Sequence, residues 1–101
     1  MHKYMFIFHT DGPIEMAAET GATFHTWFEG LGDKLIDGGG PFNPKSEAMV
    51  KAGEVTNDVD TAGGYAIVSA ENLGEAIELA KTCPMSTLPG CGVKVYETMP
   101  M

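Results

Sequence analysis

The sequence predicts an α+β domain of the ferredoxin-like kind, a split β-α-β arrangement in which both helices cover one face of an antiparallel sheet. Three observations predict it. Hydrophobic periodicity alternates between strand and helix in the order β-α-β-β-α-β along the chain. Strand-helix-strand units close with right-handed crossovers, which leaves this order few topologies other than the split one. The 101 residues, 44% hydrophobic and 20% charged, are enough for one domain, residues 1–101, with a core of its own.

The first strand is Tyr4 to His9, a continuous aromatic and β-branched run stopped by Thr10-Asp11-Gly12-Pro13. Pro13 suits a first helical position, where its missing N–H would have no partner. Ala17, Phe24, Trp27, Phe28 and Leu31 then recur at helical spacing, with Gly21 a weak point and Gly30 and Gly32 closing the helix. Leu35-Ile36 is a second, short strand that ends in Asp37-Gly38-Gly39-Gly40-Pro41-Phe42. Met49 to Val55 is a third strand, followed by a polar hairpin loop from Thr56 to Gly63. Gly64 to Ser69 is a fourth strand by composition. Asn72 with Glu75 three residues later opens the second helix in the manner of a capping box. Leu73, Ala76, Ile77 and Ala80 mark one face of it, Cys83-Pro84 stops it, and Val93 to Tyr96 is the last strand.

Acidic residues outnumber basic ones 14 to 6, for a net charge of -8. That charge repels polyanions and argues against nucleic-acid or anionic-membrane partners. No apolar run approaches the roughly 20 residues of a membrane span, and the N-terminal run lacks the form of a signal peptide. A cytoplasmic protein is expected, with Cys83 and Cys91 as reduced thiols. In the first strand Tyr4, Phe6 and Phe8 alternate with Met5, Ile7 and His9, so both faces are largely apolar. Two helices can cover only one of them, and a homodimer is the economical way to cover the other.

Several blocks together resemble the YCII-related (DGPF) family. They are Lys3 to His9, Trp27-Phe28 with Leu31-Gly32, Asp37 to Phe42, Gly64 to Val68, Leu73 to Ile77 leading to Cys83-Pro84, and Gly92 to Glu97. The name-giving Asp-Gly-Pro-Phe stands here with two extra glycines, as Asp37-Gly38-Gly39-Gly40-Pro41-Phe42. The resemblance implies a ferredoxin-like fold that pairs into a dimeric α+β barrel. It also implies a small cofactor-independent enzyme, with a His–Asp centre, that handles cyclic or aromatic breakdown products.

His9 fits the local block of that family, whereas several members carry the histidine in the first helix, where His25 sits. His9 and Asp37 each end an expected strand beside a loop, where a carboxylate could orient an imidazole for proton transfer. Read plainly, His9 ends a strand, Asp37 starts a turn and His25 is a helix-surface histidine. Phe24, Trp27, Phe28, Phe42 and Tyr65 could line an apolar pocket or pack the core, with Trp27 the leading ligand-side candidate.

Gly39 to Ser46 misses the phosphate-loop pattern at Pro44. His9-Thr10-Asp11 has no further ligand pair to complete a metal shell, and Cys83 and Cys91 lack zinc-type spacing. No metal or cofactor is therefore expected. Two functions fit. One is an isomerase- or lyase-type enzyme acting on a cyclic or aromatic-derived acid. The other is a non-catalytic dimeric module that binds a small organic ligand or regulates a partner.

Overall fold

The computed structural model describes residues 2–10, 18–42, 46, 48–56, 62–88 and 90–99. Along the chain run β1 (His2–Thr10), α1 (Ala18–Leu31), β2 (Leu35–Pro41), β3 (Met49–Lys51), β4 (Glu54–Thr56), β5 (Ala62–Ala70), α2 (Leu73–Lys81) and β6 (Cys91–Glu97). Short 3-10 turns at Gly32–Lys34 and Pro84–Ser86 follow the two helices. The main sheet has the order β2-β5-β1-β6, and every neighbouring pair is antiparallel. This is the ferredoxin-like order expected from the sequence. Its two central strands, β1 and β5, carry the longest apolar runs.

The core lies between this sheet and the helices. Tyr4, Phe6 and Phe8 of β1 and Ala66, Val68 and Ala70 of β5 are buried on one face. Trp27 and Leu31 of α1 and Ala76 and Ala80 of α2 pack over them. Phe6 is fully buried and its ring stacks on Trp27 at 6.3 Å; burial of such a side chain stabilises by about 1.5–3 kcal/mol. Met5, Ile7 and Ile67 stand on the opposite face, half-buried among their neighbours.

The helices follow from local signals. In α1 the aromatic stripe from Phe24 to Leu31 faces the sheet, and Gly32 leaves the helix at φ +55°, a conformation that favours glycine. Pro13 and Ala17 lie outside the described residues, as do positions 57–61 of the expected loop. In α2 the Asn72 side chain accepts from the Glu75 N–H at 2.9 Å, half of the expected capping box. The Glu75 carboxylate lies 3.6 Å from the Lys34 ammonium.

Two elements differ from expectation. Met49 to Val55 is a hairpin rather than one strand. Ala52 and Gly53 both take positive φ (52° and 78°), and β3 pairs with β4 in a two-stranded ribbon apart from the main sheet. Ala-Gly is a weak signal for such a turn, because alanine resists the left-handed region. The glycine tract, expected as a loop after Leu35-Ile36, continues the strand to Pro41. Its register against β5 shifts between Leu35 and Asp37 and again between Asp37 and Gly40. Bulges of this kind absorb residues without ending a strand.

Candidate functional site

At one end of the core, sequence chemistry leaves a hollow. Gly38 and Gly40 of β2 and Gly63 and Gly64 of β5 bring only backbone to this end of the sheet. The result is a cleft of about 370 Å³. Its floor is backbone from Gly38, Gly40, Gly63 and Gly64. Phe24, His25 and Phe28 of α1 form one wall, and Phe8, Thr10, Pro41, Tyr65 and Met85 complete the lining.

The aromatic wall is one cluster. Phe24 meets Phe8 edge-on at 5.6 Å and Trp27 at 6.2 Å, and the Phe28 ring lies 5.2 Å from Trp27. Such packing fixes ring positions more firmly than area burial alone would. Apolar walls with few polar groups are the usual make-up of a small-molecule site.

The imidazole at this cleft is that of His25. Its Nε2 lies 2.9 Å from Glu29 Oε1, one helical turn further along α1. The pair is open to water, with 77% and 69% of the two side chains exposed. A carboxylate at this distance orients the ring, as a general acid–base needs. Glu29 carried no weight in the sequence reading. The signal that could have found it is the four-residue spacing from His25, which places both on one helix face.

The other expected site residues are placed as follows. His9 ends the row Met5-Ile7-His9 on the sheet face away from the helices, and it is not part of the cleft lining. Asp37 stands opposite Ile67, and Ile67 opposite Met5. Two strand spacings and four residue rises therefore separate Asp37 from His9 by roughly 15 Å. The two are not brought together within one chain. Asp37 accepts the Gly39 N–H at 2.8 Å, the bond of a side-chain-capped turn.

Trp27 is also displaced from its expected role. It is a core residue, and its Nε1–H donates to Thr82 Oγ1 at 2.8 Å. It supports the cleft wall from behind. Tyr65 lines the cleft and stacks on the exposed Phe42 ring at 5.8 Å. Among the described residues no group of three or more His, Cys, Asp or Glu side chains is placed to hold a metal ion. No helix there is long and apolar enough to cross a membrane.

No family model matches the sequence, and no curated protein does. A solved structure is similar: a 5-chloro-2-hydroxyhydroquinone dehydrochlorinase from Burkholderia phenoliruptrix AC1100, in complex with 2,5-dihydroxybenzoquinone. The match has a TM-score of 0.62 at 21% sequence identity and covers 98% of this chain and 94% of that one. The α+β ferredoxin-like architecture read from the sequence is thus shared, nearly end to end, with an enzyme of small molecules.

Proposed function

We propose that this chain, a YCII-like protein, binds a small flat hydroxylated ring in the cleft and acts on it by proton transfer at His25, without a cofactor. The observation that carries this is the placement of one imidazole, paired with a carboxylate, at an otherwise apolar and aromatic-walled cleft. A volume of about 370 Å³ is ample for a substituted six-membered ring, since a cavity of about 150 Å³ already holds benzene. The aromatic wall offers stacking to such a ring, and His25 stands where it can take a ring hydroxyl's proton. Loss of that proton is the first step of an isomerisation or elimination on such a ring. The ligand of the dehydrochlorinase, a dihydroxybenzoquinone, is of the same chemical kind. Cys83 and Cys91 are not joined in a disulfide, which fits a reducing compartment such as the cytoplasm.

A non-catalytic binding module is the second reading, favoured by the exposure of His25. One experiment separates the two. Binding of 2,5-dihydroxybenzoquinone is measured by calorimetry, and turnover of chlorinated and hydroxylated hydroquinones is followed by absorbance. The enzyme reading expects wild-type turnover and a loss of about 10²–10⁴-fold in His25→Asn, with ligand binding largely kept. Turnover in His25→Asn at the wild-type rate removes His25 from the chemistry. Binding without any turnover leaves the module. A wild type that neither binds nor turns over any of these rings ends both.

A further inference from the structure

The three glycines of β2 stand in different positions, and only one needs to be glycine for the backbone. Gly39 has φ +60°, and a Cβ there would collide with the Tyr65 carbonyl. It is required by the bulge. Gly38 and Gly40 have no such demand. Neither takes a positive φ, and a Cβ at either would meet no atom within 4 Å. Glycine within a strand loses more chain entropy on folding than alanine does, so its presence at these two positions has no local compensation.

Both line the cleft. Gly40 stands in the ladder opposite Tyr65, whereas Gly38 lies in the bulged stretch between Asp37 and Gly40. Gly38 is half-buried, lines the cleft and lies beneath the wall that carries Phe24, His25 and Phe28. The empty space beside its Cα is cleft space.

We infer that Gly38 is a specificity-determining residue. Its missing side chain sets the depth of the cleft and lets the face of a planar ring lie directly on the β2 backbone. This rests on the reading of the cleft as a small-molecule site and adds the residue that limits what enters. The class admitted is a flat, uncharged or weakly acidic aromatic ring. A bulky saturated ring, or a ring with substituents above its plane, would need the space only if the floor were lower still.

The test uses the full-length protein, with phenol and 2-naphthol as probes measured by calorimetry. Thermal melts of each variant serve as the control for folding. Gly38→Ala should melt at or above the wild-type temperature, because alanine loses less chain entropy on folding. It should also weaken 2-naphthol binding by about tenfold or more while affecting phenol less, because one methyl group is felt in a close-packed site. Gly38→Val should lose both probes. Gly92→Ala, in β6 and outside the cleft lining, should bind both as the wild type does. A folded Gly38→Val that binds both probes with wild-type affinity overturns the role of Gly38 and leaves the site reading standing. A wild type that binds neither probe overturns the site reading and this inference with it.

Discussion

Tyr4 has no exposed surface, and its hydroxyl donates to Glu97 Oε1 at 2.8 Å. Burial, then the bond to Glu97 and that carboxylate's charge, push the phenol up to about 12. Cys83, also buried, is pushed up to about 11 by burial, against a smaller downward pull from the backbone of Met85 and Ser86. Both groups are neutral in the native protein, and both ionise more readily once the chain unfolds. Their contribution to stability is therefore complete below about pH 9 and is lost as pH rises, through 9–11 for Cys83 and 10–12 for Tyr4. Denaturant melts between pH 8 and 11 should show stability falling monotonically. The phenolate absorbance of Tyr4, isolated by difference from Tyr4→Phe, should rise only near pH 12, and a rise near pH 10 would contradict its burial. Alkylation at pH 8 followed by mass mapping should leave Cys83 unlabelled until the protein is unfolded. The sequence disclosed these residues as an apolar run and a free thiol, but not their neighbours. The bond from Tyr4 to Glu97 spans 93 positions of the chain. The Trp27–Thr82 bond, which turns the expected ligand residue into a core one, spans 55. Long-range partners of this kind leave no local spacing to read.

At the scale of elements, what was legible is what local chemistry decides. The start of α2 is set by Asn72, which accepts from the Glu75 N–H and whose carbonyl accepts from Ala76. Asn72→Ala should lower stability by about 1 kcal/mol, read as a shift in the denaturant midpoint, while Asn72→Asp should keep most of it. No change in Asn72→Ala would mean that packing of Ala76 and Ala80 alone holds the helix. The cap could be read because its donor and acceptor lie three residues apart. The aromatic stripe of α1 was legible in the same way, by its period. Its division into a core part, Trp27 and Leu31, and a cleft part, Phe24 and Phe28, was not. That division depends on where Gly38 and Gly40 of β2 and Gly63 and Gly64 of β5 line the sheet opposite. The same bulges turned an expected loop into a strand, while the strand order keeps Asp37 and His9 two strands apart.

At the scale of the whole molecule, the two faces of the sheet are unequal. The helices cover Tyr4, Phe6, Phe8, Ala66, Val68 and Ala70, and no described element covers Met5, Ile7 and Ile67 on the other side. The chain is a slab of 39 × 38 × 19 Å. Ile36 and Tyr96, at 45% and 46% exposure, add to the unpaired apolar surface. We therefore expect a two-fold homodimer that buries the helix-free face, an assembly in which the same patch meets itself. Analytical ultracentrifugation at micromolar concentration should give twice 10.7 kDa for the wild type. Ile7→Glu puts a charge in the middle of that face and should yield a folded monomer, since burying an unpaired carboxylate at the interface costs several kcal/mol while a monomer leaves it in water. Leu73→Glu, on exposed α2 surface of the helix side, should remain dimeric. A monomeric wild type would end the dimer reading. A dimer that survives Ile7→Glu but is lost in Leu73→Glu would move the interface to the helices and leave the open sheet face to some other partner.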